Sequence, residues 1–378
     1  MKITMFPGQG SQFKGMGAGL FEQFRSLTEQ ADAILGYSLK ALCTEDPRNE
    51  LGRTQFTQPA LYVVNALSYL KRLEDTQGTP DFVMGHSLGE FNALLAAGCF
   101  DFETGLRLVR KRGELMGQVS DGGMAAVLNA SKEHIEATLK AHGLERLYLA
   151  NYNTPSQIVL SGHVEELARA EPLFKEGKMR FYPLATSGAF HSAFMHDAML
   201  KFREVLDGHA FAAPKIPVIA NVTARPYEAG AIVDTLARQI ASTVRWSESV
   251  QHLLAATALQ GEPAEFDEVG PGDVLTKLVF TIKAQTPAPA AAPAPVPAAA
   301  PAADTTTATT TAAGKVRDWN RRHPVGTRVR STMVADAELE TRTDAVLLFG
   351  HRAAVYLTGF NGYFDLDELT AVADMTTA

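Results

Sequence analysis

Short apolar runs alternate with longer stretches of helical periodicity over the first three quarters of the chain. The apolar runs Ile3–Phe6, Phe82–Met84 and Val218–Ala220, and the more polar segment Glu265–Val269, are strand candidates. Stretches such as Ala60–Arg72 and Glu90–Ala97 carry apolar residues at helical spacing. Strands interleaved with helices predict an α/β fold. The pattern changes between Met124 and Leu184. It reads strand Met124–Leu128, helix Lys132–Ala141, strands Leu147–Ala150 and Ile158–Ser161, helix Val164–Glu176 and strand Phe181–Ala185. That β-α-β-β-α-β order predicts a small ferredoxin-like subdomain inserted into the larger one.

The periodicity stops at residue 284. Ala-Pro repeats (Thr286 to Ala303) give way to Thr-Ala repeats (Thr305 to Ala313). Such a segment has too little apolar content to bury a core, and its proline half favours an extended, semi-rigid chain. Residues 284–314 are therefore read as a linker. It separates residues 1–283 (a large lobe of 1–123 and 186–283, and a small lobe of 124–185) from a module at 315–378. In that module Thr327–Val334, Ala345–Phe349 and Ala353–Thr358 read as strands. Phe349-Gly350-His351-Arg352 reads as a hairpin turn, and Gly359, Asn361 and Gly362 mark another turn. Its leading segment is basic, with Lys315, Arg317, Arg321, Arg322, Arg328 and Arg330 against Asp318 alone.

Composition narrows the classes. The 378 residues are 46% hydrophobic and 20% charged, an ordinary globular balance. A net charge of -7 gives no electrostatic footprint for nucleic acid. Two cysteines, Cys43 and Cys99, sit in apolar helical surroundings and make no disulfide framework. No run approaches the roughly 20 apolar residues of a membrane span, and the apolar start Ile3–Phe6 is too short for a signal peptide core. A cytoplasmic protein with no membrane association is the expectation.

Chemistry concentrates at Gly85-His86-Ser87-Leu88-Gly89-Glu90, between a predicted strand and a predicted helix. A serine flanked by glycines two residues away on each side is the G-x-S-x-G nucleophile elbow, where the turn is too sharp for side chains at the glycine positions. The following helix aims its N-terminal amides at the serine, which suits an oxyanion. The elbow makes the expected core α/β-hydrolase-like. The neighbouring His86 points away on such a turn and is assigned to packing. Gly8-Gln9-Gly10 superficially suggests a phosphate loop, but no Lys-Ser/Thr follows at the spacing that loop requires. No set of metal ligands stands out.

Further motifs accompany the serine: Gly8-Gln9-Gly10-Ser11-Gln12, Thr57-Gln58-Pro59-Ala60, Arg112 within Val109–Met116, Asn151-Tyr152-Asn153-Thr154-Pro155, Ser187-Gly188-Ala189-Phe190-His191-Ser192, Val244-Arg245-Trp246 and Glu268-Val269-Gly270-Pro271-Gly272. Together they resemble the malonyl-CoA:acyl-carrier-protein transacylases, over residues 1 to about 283. Within that family the chain looks most like the free-standing acyltransferases that serve polyketide synthases lacking their own. The resemblance implies a two-lobed build with the site between the lobes. It implies Ser87 as nucleophile and His191 as base, with Gln9 and the Leu88 amide as oxyanion hole. Arg112 would hold the malonyl carboxylate, and Phe190 fits the malonyl-selecting version of its motif. A main-chain carbonyl near Gln239 would orient the histidine, and Asn153 or Asn151 would contact the site, although a polar loop with proline also reads as a simple turn. Arg107, Arg110 and Lys111 read as a solvated helix face. The implied partners are malonyl-CoA, an acyl carrier protein and polyketide synthase modules; no cofactor or metal is implied.

Two other readings stay open. An acyl hydrolase of the same fold would use water as acceptor and would have no use for Arg112. A docking or assembly protein would work through the C-terminal module. A lipase-type esterase shares the elbow but gives Gln9 and Arg112 no purpose.

Overall fold

A computed structural model describes residues 1–76, 78–119, 122–186, 188–228, 230–286, 312–331, 334–348, 352–359 and 363–372. The chain forms two compact units, residues 1–294 and 295–378.

In the first unit the predicted strands appear as β1 (Lys2–Phe6) and β2 (Phe82–Gly85). The inserted region then contributes β3 (Gly123–Leu128), β4 (Leu147–Thr154), β5 (Gln157–Gly162) and β6 (Arg180–Leu184). The chain returns as β7 (Val218–Ala220), β8 (Arg225–Pro226) and β9 (Glu265–Glu268). The main sheet runs β8-β7-β2-β1-β9. Its strands are parallel except β8. In register Phe6 lies beside Gly85, so the carboxyl ends of β1 and β2 finish side by side. Ligands in open parallel sheets collect at that edge. The helix Thr54–Thr76 buries every residue from Thr57 to Leu67, so it is covered on all sides and not on one face alone.

Residues 123–184 form a separate four-stranded antiparallel sheet in the order β4-β5-β3-β6, joined by helices Lys132–Ala141 and Val164–Leu173. It has its own core of Val127, Ile135, Leu160, Phe174 and Phe181. A register shift between Leu149 and Asn151 marks a bulge in β4. There β4 meets the 240s segment: the Tyr152 N–H donates to the Val244 carbonyl and the Val244 N–H to the Ala150 carbonyl.

The helix Val274–Gln285 runs two residues past the boundary expected at 283. Most of the expected linker, residues 287–311, lies outside the described residues. The second unit opens with a helix, Ala312–Arg322, that strand patterning does not foresee. Val316 and Trp319, three apart, pack against the apolar core, while Arg317, Arg321 and Arg322 are exposed. The stretch expected as one strand divides between β10 (Arg328–Ser331) and β11 (Val334–Glu340), which pair antiparallel. β12 (Val346–Leu348) and β13 (Arg352–Tyr356) also pair antiparallel, although the expected turn at 349–351 lies outside the described residues, as do Asn361 and Gly362. Two strands are additional, β14 (Tyr363–Asp365) and β15 (Leu369–Ala371). The result is two three-stranded sheets, β11-β10-β15 and β12-β13-β14. Val329, Leu339, Val355, Leu357 and Leu369 are in the core they share.

Candidate active site

Ser87 sits between β2 and the helix Gly89–Ala96 with φ +50°, a left-handed conformation costing about 1 to 3 kcal/mol for a non-glycine residue. Three glycines make the corner possible. A Cβ on Gly85 would lie 1.9 Å from the Gly89 carbonyl carbon, one on Gly89 would lie 2.0 Å from the Phe6 oxygen, and one on Gly8 would lie 2.3 Å from the His86 oxygen. The strained residue is held from both sides. Its N–H donates to Asn221 Oδ1 at 2.7 Å, and its carbonyl accepts from Gln239 Nε2 at 2.7 Å. Asn221 in turn donates through Nδ2 to the Gly85 carbonyl at 2.7 Å. Sequence reasoning missed Asn221. Its one signal is its position just past β7, the strand beside β2, at the same sheet edge.

His191 Nε2 lies 2.8 Å from Ser87 Oγ across 104 residues of sequence. Its Nδ1 faces two carbonyl oxygens, Gln239 at 2.9 Å and Ser242 at 3.2 Å. Both can only accept, so Nδ1 carries the proton and Nε2 is left to accept from the serine hydroxyl. Burial, followed by the nearby Arg112 charge, pushes the imidazole down to about 3, so it is neutral at pH 7.

Arg112 projects from the helix Phe102–Gly117 and is 1% exposed. Its Nη1 donates to Gln58 Oε1 at 2.6 Å, and its Nη2 to Gln239 Oε1 at 2.8 Å and to Ser87 Oγ at 3.1 Å. Among the described residues Nε has no partner, and the guanidinium lies over the Phe91 ring at 5.6 Å. Burial lowers its pKa to about 10, so it remains a cation at neutral pH. A buried guanidinium with a vacant N–H beside a nucleophile is suited to receive a carboxylate. The other basic residues of this helix form surface pairs, Arg107 with Glu103 and both Arg110 and Lys111 with Glu114.

Beneath these groups lies Glu90, completely buried. Its carboxylate accepts from the Tyr227 hydroxyl, from Gln239 Nε2 at 2.7 Å and from the Asn221 N–H at 3.3 Å. Burial raises its pKa to about 7 in spite of these donors.

A nucleophile corner, a carbonyl-held histidine and a buried arginine coincide with a sequence match to the acyl transferase domain over residues 4–310. The chain belongs to the acyl transferase domain family. It is 53% identical over 293 residues to the polyketide biosynthesis malonyl CoA-acyl carrier protein transacylase BaeC of Bacillus velezensis, covering 77% of this chain and 100% of that protein. It is 55% identical over 285 residues to the polyketide biosynthesis protein PksE of Bacillus subtilis, covering 75% of this chain but only 36% of PksE. The chain thus spans little more than a third of that relative's length. Among solved structures, the malonyl CoA-acyl carrier protein transacylase from Burkholderia pseudomallei is similar with a TM-score of 0.75 and 62% identity, covering 76% of this chain and 99% of that one. The mixed α/β fold of this acyl transferase is shared with that structure.

The remaining expected site residues of the acyl transferase are placed as follows. Gln9 is half-buried, and its Oε1 accepts from Thr54 Oγ1 at 3.0 Å. Leu88 is the N-cap of the helix after the serine. Phe190 is buried in the main core beside His191. Asn153 is brought to His86 rather than to Ser87: its Oδ1 lies 2.9 Å from His86 Nε2. His86 has the packing place expected of it, with its ring 5.6 Å from Trp246. Gln58 lies in a motif noted in the sequence, but its contact with Arg112 was not foreseen. A cleft of about 440 Å³ opens on His191, between Tyr148 and Tyr152 of β4 and the segment Ala241–Thr243. Among the described residues no cluster of His, Cys, Asp and Glu has metal-binding geometry, and no helix is long and apolar enough to cross a membrane.

Proposed function

We propose that this acyl transferase moves a malonyl group from malonyl-CoA to the phosphopantetheine thiol of an acyl carrier protein, supplying extender units for polyketide or fatty acid synthesis. One observation carries the choice of substrate: the buried Arg112 guanidinium, 3.1 Å from Ser87 Oγ, with an N–H to spare. The names of BaeC and of the Burkholderia structure support the same substrate and acceptor.

The chemistry runs in two halves. Ser87 Oγ attacks the malonyl thioester carbon as its proton passes to His191 Nε2. Gln9 and the Leu88 N–H stabilise the tetrahedral oxyanion, and Arg112 holds the free carboxylate. Collapse breaks the C–S bond, and the CoA sulfur leaves with the proton from His191. The carrier thiol then gives its proton to His191 and attacks the malonyl-serine ester, which returns Ser87. A Ser-His pair oriented by carbonyls suffices, because the third member of such sites orients the imidazole rather than taking its proton. No cofactor or metal has a step in this course.

In this reading residues 1–123 and 186–283 are an α/β-hydrolase-like lobe and residues 124–185 a ferredoxin-like lobe. Residues 284–314 are a linker to the 315–378 module, which helps choose among carrier proteins and synthase modules, and the enzyme works in the cytoplasm. The β-α-β-β-α-β order and the antiparallel β4-β5-β3-β6 arrangement support the second assignment. The test is the intact mass of the protein after brief exposure to several acyl-CoAs. A gain of about 86 mass units on Ser87 from malonyl-CoA is expected of covalent catalysis. An adduct on another residue, or none, sinks the proposal.

A further inference from the structure

The Gln239 side chain stands between Glu90 and Arg112, and its amide has only one workable orientation. Both of its N–H groups face acceptors, Glu90 Oε2 at 2.7 Å and the Ser87 carbonyl at 2.7 Å. Its oxygen faces a donor, Arg112 Nη2, at 2.8 Å. Flipping the amide would set oxygen against a carboxylate and N–H against a guanidinium, leaving buried groups unpaired on both sides. Of the two acceptors, the Ser87 carbonyl is neutral and Glu90 is the ionisable one. Its other oxygen is occupied by the Tyr227 hydroxyl and the Asn221 N–H, so the carboxylate itself is locked. All the hydrogen-bond partners shown for Arg112 (Gln58, Gln239 and Ser87) are neutral. The charge balancing it within the buried site is that of Glu90, one amide away.

We infer that Glu90 is the positioning residue of the carboxylate clamp: it orients the Gln239 amide and through it holds Arg112 ready for a dicarboxylic acyl group. This inference rests on the malonyl reading above. Glu90 touches neither acyl group nor thiol. Its effect therefore falls on which acyl group is accepted. The His191 imidazole is not oriented through Glu90, because its Nδ1 is held by the Gln239 main-chain carbonyl. The Gln239 side chain and Asn221 also bond the Ser87 main chain, so the acyl preference, not the total rate, is what reports on the clamp.

The test is a double-mutant cycle on the full chain, reading the rates at which Ser87 is acylated by malonyl-CoA and by acetyl-CoA. Glu90→Gln should lower the malonyl-to-acetyl preference about tenfold, the worth of one buried charge-assisted contact. The loss should appear mainly in KM for malonyl-CoA. Gln239→Ala should lower the preference at least as far, and the double variant no further than Gln239→Ala alone. Additive losses, or equal falls for both acyl groups, would show that Glu90 acts on the fold and not on the clamp. If Glu90→Gln does not fold, Tyr227→Phe removes one of the two donors to that carboxylate oxygen and should cause a smaller loss in the same direction; an unchanged preference overturns the inference. Failure of the malonyl reading looks different, since the wild-type chain would then show no preference for malonyl.

Discussion

The two units of this chain treat polar side chains in opposite ways. Residues 1–294 bury Glu90, Arg112, His191, Asn221 and Gln239 almost completely and bond them to one another around Ser87. Among the described residues of the second unit, the only buried polar side chain is Thr341. Its core is otherwise apolar, and its charges pair at the surface, Lys315 with Asp367 and Arg321 with Asp318. Burying charge is costly unless every group is bonded, so a fold that does so repeatedly in one place has a chemical use for it. Among the described residues of the second unit, charge lies on the outer surface and not in the core.

The sharpest way to break this contrast is Ser87→Ala. Transfer should fall by roughly four orders of magnitude or more, and the covalent adduct should vanish from a folded protein. Residual acylation anywhere in the second unit, read by peptide mass mapping, would mean that the polar site is not where the chemistry occurs.

Arg112→Ala comes next. Removing one partner of a buried carboxylate contact costs roughly 2 to 5 kcal/mol, so malonyl transfer should drop by about two to three orders of magnitude while acetyl transfer holds or rises. Steady-state rates with both acyl-CoAs decide this. Equal falls would make Arg112 structural and return weight to the acyl hydrolase reading.

Acidification separates the buried groups from each other. His191, held down to about 3, stays an unprotonated base throughout the working range. Glu90, raised to about 7, takes up a proton as the pH falls through that value, and its bond to Gln239 then loses charge assistance. Burial raises Glu90, while the Tyr227 hydroxyl, the Gln239 amide, the Asn221 N–H and the Arg112 cation all favour its charged form. Malonyl acylation should therefore decline by about tenfold as the pH drops below 7, with acetyl acylation much flatter. An identical acid limb in Glu90→Gln would assign the decline elsewhere.

Trp319→Ala probes the apolar unit. Truncating a large aromatic packed on a small core costs roughly 2 to 4 kcal/mol, so the second unit should melt earlier, seen as a separate calorimetric transition. The first transition and the acylation rate should stay put; a shift in either would erase the contrast.

The smallest effect is expected from cutting the chain after Thr286, beyond the helix that ends at Gln285. Acylation of Ser87 should change by no more than about twofold, because no group of the bonded site lies past Gln239 and Ser242. Transfer to different carrier proteins should change in kcat/KM, and more at low salt than at high salt. Loss of acylation would place the second unit inside the catalytic fold, and no change with any partner would remove its docking role.

What the sequence determined by itself is local. Glycines at 85 and 89, a strand before the serine and a helix after it specify the corner, because turn geometry depends on adjacent residues. The order of strands and helices in 123–184 was legible for the same reason: periodicity is a property of neighbouring positions. The helix at 312–322 was not, since its apolar side is only Val316 and Trp319 and shows itself only against the core it covers. The family resemblance named His191 and Arg112 for the site of Ser87, but the tertiary structure alone decided which further side chains hold the serine. Asn221 reaches its N–H from 134 residues away and Gln239 its carbonyl from 152, while Asn153 turns to His86. Those contacts depend on strands laid side by side across a sheet and on the bulge in β4 that meets the 240s segment. Distance in space between such residues is set by packing, and spacing along the chain carries no measure of it.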